Sequence, residues 1–147
     1  MKKVDKIEDS RSFKSTTTAL SDVREFVNQH AASFGFDDKE VSEITLAVDE
    51  ACTNVIKHAY RGNPDAQFEV RIVGSGIEFE VVVRDWGDSF DPERVPVPNI
   101  KEKVKRHRAG GLGIFLMRKL MDSVEYHGRD TSNEVRLVRY LRSEPKG

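Results

Sequence analysis

Cysteine is almost absent from this chain, which has one, Cys52, among its 147 residues. A single cysteine excludes an intrachain disulfide framework and fits a reducing compartment, so we expect a cytoplasmic protein. We interpret Cys52 as a small buried apolar group, because its sequence context does not indicate the electropositive, accessible setting of a reactive thiol.

Long apolar runs are also missing, since no stretch approaches the roughly 20 residues of a membrane helix. The first ten residues carry basic side chains but lack the apolar segment of a secretory signal. Neither charge is in excess, because the formal net charge is -1, and such a chain has no global field that draws it to nucleic acid or to an anionic membrane. We therefore expect neither a nucleic-acid nor a membrane partner.

The chain does have the length and the apolar patterning of one folded domain. Apolar residues make up 37% and charged residues 33% of the sequence, which is too apolar and too regularly patterned for a disordered chain. We expect one domain over residues 1–147, with a solvated tail at 142–147.

The first half of the chain predicts a strand followed by helices. Scattered apolar residues allow one edge strand within 1–15, and helical spacing predicts a helix over 16–34. Ser21 or a nearby threonine is the candidate cap of that helix, and Gly35 is placed to end it. A second helix is predicted over about 37–60.

The second half predicts a hairpin, a long loop, a helix and a strand. Alternating apolar residues on both sides of 74–76 indicate a hairpin. Residues 88–109 show neither helical nor strand periodicity of apolar residues, which predicts a loop. A loop longer than about 12–15 residues is usually functional or disordered. A third helix is predicted over 114–124 and a last strand over 135–140. This order of elements favours an α+β sandwich with helices on one face of the sheet.

Three polar residues recur at four-residue spacing in the second predicted helix: Glu50, Asn54 and His58. Glu50 and Asn54 face away from the apolar stripe, one turn apart, so they can share one polar site. The amide oxygen of Asn54 suits Mg²⁺, and Glu50 is a candidate general base. His58 is a candidate to orient a neighbour or to contact phosphate. The alternative is the solvated face of an amphipathic helix, whose C-terminus also favours a histidine.

Asp85, Trp86 and Gly87 close the second hairpin strand. A carboxylate at a strand mouth can accept a hydrogen bond from an exocyclic amine such as adenine N6, and Gly87 leaves access open. The alternative is an ordinary Asp-x-Gly turn. We interpret Trp86 as a core residue rather than as the wall of a pocket.

Gly110, Gly111, Leu112 and Gly113 open the third predicted helix. Glycines allow close approach of phosphate oxygens to the free N–H groups of a helix N-terminus. The motif is not a P-loop, because no Lys-Ser/Thr follows, and no strand leads directly into it as in dinucleotide sites. Arg108 is placed to reach a terminal phosphate. A flexible hinge is an equally good interpretation of the glycines alone.

Taken together, the three motifs resemble those of the GHKL ATPases, named for gyrase, Hsp90, histidine kinase and MutL. The chain is most similar to the small anti-sigma-factor serine kinases of that superfamily. Residues 50–60 resemble its N box, 85–92 its adenine box and 108–114 its glycine box. The similarity extends from the first predicted helix to the last strand. Ser89 stands where many relatives have the second glycine of Gly-x-Gly.

The resemblance implies a Bergerat-type two-layer sandwich, in which a mixed, mainly antiparallel sheet carries helices on one face and a long ATP lid, here 88–109. It implies ATP and Mg²⁺ as cofactors, with Glu50 as the catalytic base and Asn54 as the metal ligand. The nucleotide-binding residues implied are Asn54, His58, Asp85, Gly87, Arg108, Gly110, Gly111, Leu112 and Gly113.

The function implied by the resemblance is that of a protein serine/threonine kinase in a partner-switching pathway. Such a kinase phosphorylates a STAS-domain antagonist, binds and sequesters a sigma factor, and is usually a homodimer. One alternative is a non-catalytic module in which ATP gates the binding of another protein. Another is the catalytic domain of a sensor histidine kinase, whose phospho-accepting helices would have to lie on a separate chain.

Overall fold

The computed structural model describes residues 6–88, 111–128 and 131–142. A 3₁₀ turn precedes the first α-helix and a π-helical segment, Val55–Ala59, continues the second. No helix in these three ranges is long and apolar enough to cross a membrane. The elements in chain order are β1 Lys6–Lys14, α1 Leu20–Phe34, α2 Asp38–Asn54, β2 Gln67–Ser75, β3 Glu78–Asp85, α3 Gly111–Leu120, β4 Ser123–Gly128 and β5 Asn133–Tyr140.

The strands form one sheet in the order β1-β2-β3-β5-β4. Each of the four neighbouring strand pairs is antiparallel, and β1 is an edge strand as predicted. Helix α1 packs on β2, while α2 packs on β3 and β5 and contacts α3. The predicted α+β sandwich, with a mainly antiparallel sheet and helices on one face, is therefore confirmed.

The core lies between the helices and alternate residues of the strands. In β3, for example, every second residue from Phe79 to Asp85 is buried, because successive side chains of a strand point to opposite faces. Cys52 of α2 is fully buried in this core, and burial raises the pKa of its thiol. Its interpretation as a packed apolar group is confirmed.

Local signals set the ends of the first two helices. Asp37 caps α2 through a capping box, in which the Glu40 N–H donates to Asp37 Oδ1 at 2.8 Å and the Asp37 N–H donates to Glu40 Oε1 at 2.9 Å. Gly35 ends α1 with φ of 125°, a conformation that favours glycine. The predicted side-chain cap of α1 is wrong, because Ala19 holds the cap position and no side chain caps the helix. The preceding backbone turn at Thr17–Ala19 leads into the helix instead.

The predicted continuous helix to residue 60 is interrupted at its end. After Asn54 the chain widens into the π-helical segment, and the Tyr60 N–H donates to the Val55 carbonyl at 2.9 Å, five residues back. This end of the segment is tied to the turn after β3, since the Asp88 N–H donates to the Ala59 carbonyl at 2.8 Å. Contact with the sheet thus sets the backbone geometry here.

The third helix ends earlier than predicted, and strand β4, which follows it, was not predicted. Helix α3 ends at Leu120, and Val124 lies in β4, although its spacing continues the apolar stripe of the helix. The Asp122 N–H donates to the Val138 carbonyl at 2.8 Å, and the Asp122 side chain accepts from the Tyr140 N–H at 2.8 Å. Pairing with β5 therefore ends the helix and begins the strand.

We expect Asp37→Ala to lower the free energy of unfolding by about 0.5–2 kcal/mol, because it removes the capping bond at the start of α2. Urea unfolding followed by circular dichroism measures the change. Asp38→Ala is the matched control, since Asp38 lies in the first turn without capping the helix. Equal losses in the two variants would contradict a specific capping role.

Candidate functional site

An open cleft lies between the C-terminal part of α2 and the neighbouring ends of β3, β4 and β5. Its empty volume, including the open mouth, is about 540 Å³. Two of the predicted site residues, Asn54 and Asp85, lie in its lining. The other lining residues include Ala59, Tyr126, Asn133 and Val135.

Asp85 is the buried carboxylate of the cleft, with 5% of its surface exposed. Its Oδ1 accepts hydrogen bonds from the Gly87 N–H at 2.9 Å and from Asn133 Nδ2 at 3.0 Å. Among the described residues, both of its side-chain hydrogen bonds end on Oδ1. Oδ2 is therefore the atom that can accept a hydrogen bond from an exocyclic amine in the cleft.

Asn133 is a site residue that was not predicted from the sequence. It begins β5 as the register partner of Asp85, and its Nδ2 also lies 3.1 Å from the Gly87 carbonyl and 3.3 Å from the Asp88 carbonyl. One amide group thus holds both the carboxylate and the turn that follows it. The sequence signal that could have indicated Asn133 is strand alternation. Asn133 precedes the buried Val135 by two residues and therefore shares its face of the strand.

Gly87 allows the turn after β3 to pack closely on the end of the π-helical segment. A Cβ at Gly87 would collide with the carbonyl oxygen of Ala59, the same oxygen that accepts from the Asp88 N–H. Any larger residue would move the turn, and with it Asp85. The predicted part of Gly87 in an adenine site is compatible with this geometry and stays a prediction.

Asn54 presents an unpaired polar group at the cleft. Its Nδ2 is buried and has no hydrogen-bond partner among the described residues. An unpaired buried amide costs about 1–3 kcal/mol, a cost that a ligand or ordered water bound at the cleft would remove. The nitrogen donates hydrogen bonds and does not bind a cation, so the atom of Asn54 that fits Mg²⁺ is its amide oxygen, with water and phosphate oxygens supplying the other ligands.

Glu50 lies one turn before Asn54 and faces the first turn of α3. A Cβ at Gly113 would lie 2.5 Å from Glu50 Oε1, so the absence of a side chain at Gly113 lets α3 approach the carboxyl group. Burial, followed by the charge of Asp49, raises the pKa of Glu50, while Lys57 opposes the shift. A raised pKa makes a carboxylate a better proton acceptor, as a general base requires.

The glycine motif forms the start of α3. Gly111, Leu112 and Gly113 are the first described residues of the helix, and the N–H groups of a helix's first turn have no partners within their own helix. This places possible phosphate ligands beside Glu50. Arg108 and Gly110 lie outside the described residues, as do the predicted lid from residue 89 onward and the predicted tail from residue 143.

His58 and Trp86 are placed differently from the other motif residues. His58 is exposed on the π-helical segment and is not among the described lining of the cleft. Its four-residue spacing from Asn54 assumed α-helical rotation, which the wider turn changes. The interpretation of Trp86 as core is wrong, because 47% of it is exposed, and the Arg84 guanidinium lies 5.3 Å from its ring centre.

Comparison with known proteins identifies the class to which this fold and site belong. Residues 13–139 match the family model described as histidine kinase-like ATPase domain. The match spans most of the chain, so the chain belongs to this family. The resemblance to the GHKL ATPases is thereby confirmed.

Within that class, the curated relatives include serine-protein kinases named RsbW. The chain is 33% identical over 120 residues to RsbW of Bacillus pumilus (strain SAFR-032), covering 78% of this chain and 74% of the relative. It is 32% identical over 118 residues to RsbW of Bacillus subtilis (strain 168), covering 78% and 73%. For RsbW of Listeria monocytogenes serovar 1/2a the identity is 34% over 115 residues, covering 76% and 73%. The predicted similarity to the small serine kinases of the superfamily is confirmed.

A solved structure supports the fold. The crystal structure of the RsbU and RsbW domains of Rv1364c from Mycobacterium tuberculosis superposes with a TM-score of 0.64 at 15% identity. The superposition covers 92% of this chain and 32% of that longer chain. At this identity the likeness shows the common fold.

We expect Glu50→Gln to raise the free energy of unfolding at pH 7. Folding raises the pKa of Glu50, so the native state loses stability as the pH rises from the unfolded-state pKa, about 4.3, through the folded-state pKa. The glutamine removes this penalty, and its advantage should vanish below about pH 4.3. Urea unfolding at a series of pH values measures the difference.

Glu25→Gln is the matched control for this experiment, because Glu25 is exposed on α1. A control that gains as much stability as Glu50→Gln would contradict the burial of the Glu50 charge. A Glu50→Gln variant less stable than the parent at pH 7 would do so as well.

Proposed function

We propose that the protein is an Mg-ATP-dependent serine/threonine kinase that phosphorylates a STAS-domain antagonist and sequesters a sigma factor. It would act in the cytoplasm as a homodimer, in a partner-switching pathway. The observation that carries the proposal is the joint presence of Asp85 and Asn54 in one cleft, with Glu50 one helical turn away. Its RsbW relatives, named serine-protein kinases, support the reaction class.

The base of the nucleotide would be recognised by Asp85. Oδ1 is occupied by Gly87 and Asn133, so Oδ2 would accept the hydrogen bond from adenine N6. Asn133 holds the carboxylate through Oδ1, which would leave Oδ2 for the ligand. Guanine presents a carbonyl oxygen at the corresponding position, which a carboxylate would repel.

The phosphates would lie between Asn54 and the first turn of α3. Asn54 would hold Mg²⁺, which when bound supplies positive charge that neutralises the phosphate oxygens. The N–H groups at Gly111 and Gly113 would add hydrogen bonds to those oxygens. Glu50 and Gly113 are in close contact, so the same helix end would bring the phosphates near the base.

The transfer step would use Glu50 as the proton acceptor. The hydroxyl oxygen of the substrate serine or threonine attacks the γ-phosphorus, and its proton passes to the Glu50 carboxylate. The bond from the γ-phosphorus to the β–γ bridging oxygen breaks, and ADP leaves with that oxygen. Raising the pKa of Glu50 by burial favours the proton transfer.

Transfer of label from γ-labelled Mg-ATP to STAS-domain proteins of the same cell tests the function. We expect phosphoserine or phosphothreonine on one of them, and we expect Glu50→Ala to slow transfer by roughly 10²–10⁴-fold with nearly unchanged ATP affinity. Glu25→Ala on the exposed face of α1 is the control and should transfer at the parental rate.

The outcomes of the transfer experiment separate two functions. Undiminished transfer by Glu50→Ala would remove Glu50 from the catalytic role. Nucleotide binding without transfer to any candidate would contradict the kinase and favour a non-catalytic module in which ATP gates the binding of a partner.

Asp85→Asn tests the adenine site separately from the chemistry. Loss of a charge-assisted hydrogen bond should weaken ATP binding by about 1–3 kcal/mol, up to about a hundredfold in affinity. Isothermal titration calorimetry measures the change. Asp22→Asn is the control, because Asp22 is exposed on α1 and does not line the cleft. Unchanged ATP affinity in Asp85→Asn would place adenine elsewhere.

A further inference from the structure

We propose that Tyr60 is a positioning residue, whose hydroxyl fixes the turn carrying Asp85 to the helix carrying Asn54. This inference rests on the proposed function, because it assigns Tyr60 a part in holding the adenine acceptor. Tyr60 itself is not among the described residues that line the cleft. It therefore acts through Asp85 and not by touching the nucleotide.

The Tyr60 hydroxyl joins three parts of the fold. It donates to the Gln67 carbonyl at 2.6 Å and accepts from the Trp86 N–H at 2.8 Å. Gln67 begins β2, while Trp86 follows the end of β3. A hydroxyl has one proton to give and lone pairs to accept with, and both roles are used here. Phenylalanine would keep the ring and remove both bonds.

The bond to Trp86 acts directly on Asp85. The Trp86 N–H belongs to the peptide plane that begins at the Asp85 carbonyl, so holding this N–H fixes the backbone rotation after Asp85. The Gly87 N–H donates to the Asp85 carboxylate at 2.9 Å. The backbone and the side chain of the proposed adenine acceptor are thus restrained by separate hydrogen bonds.

The anchor point is itself connected to the proposed metal ligand. The π-helical segment Val55–Ala59 begins immediately after Asn54 and ends immediately before Tyr60. At its end the Ala59 carbonyl accepts from the Asp88 N–H at 2.8 Å, which ties the same turn a second time. Asn54 and Asp85 are therefore linked by one short, hydrogen-bonded path, which would keep the base and phosphate ends of the site at a set separation.

Tyr60→Phe tests this inference when binding is measured with the two halves of the nucleotide. Adenosine reports on the Asp85 end, and Mg-tripolyphosphate reports on the phosphate end. We expect the variant to bind ATP and adenosine about three- to tenfold more weakly, with affinity for Mg-tripolyphosphate unchanged. A purely structural role would reduce the fraction of competent protein and leave both affinities as in the parent.

Tyr140→Phe is the matched control, because Tyr140 is exposed and pairs with Glu78 at the opposite end of the strands from Asp85. It should bind all three ligands as the parent does. A second measurement is amide exchange by NMR, in which Tyr60→Phe should speed exchange of the Trp86 amide and leave the amide of Gly87 protected.

Each result supports or overturns the inference. Unchanged adenosine affinity in Tyr60→Phe overturns it, and so does an equal loss of adenosine and tripolyphosphate binding. Unchanged exchange at the Trp86 amide overturns the proposed bond. A parent protein that binds neither ATP nor adenosine overturns the proposed function and this inference with it, a result distinct from a failure of Tyr60 alone.

Discussion

The packing of the turn after β3 against the end of the π-helical segment is the constraint on which the candidate site depends. Gly87 lies so close to the Ala59 carbonyl that no side chain fits between them, and the Asp88 N–H bonds the same oxygen. This contact brings Asp85 from the sheet and Asn54 from the helical layer to one cleft.

Where a prediction from the sequence succeeded, the cause was local. The capping box at Asp37 and the glycine at 35 set helix ends through neighbouring atoms alone, and strict alternation marked the hairpin. Strand β4 was missed because it depends on a distant partner: its six residues pair with β5, and Val124 fits the helical stripe before it equally well. The π-helical segment likewise depends on contact with a turn far along the chain.

The residues of the candidate site likewise divide into those that the sequence indicated and those that only the fold revealed. Residue types and spacing indicated Glu50, Asn54 and Asp85 as polar groups suited to ligand chemistry, yet spacing alone could not show that they converge. Asn133 became visible only through its register with Asp85. The raised pKa of Glu50 depends first on burial, which is a property of the assembled layers. The prediction for Trp86 was wrong, because its apolar residue type suggested a core position and the folded chain leaves it exposed.

The exposed position of Trp86 has a practical consequence, because the chain contains one tryptophan. Its indole is half in solvent beside the turn of Asp85, with a guanidinium 5.3 Å from the ring centre. Indole emission responds to solvent polarity and to nearby charge, so the tryptophan fluorescence of the molecule originates at a single known point, one residue after Asp85. The protein therefore carries its own optical reporter, and changes at the turn after β3 can be followed in solution without any attached dye.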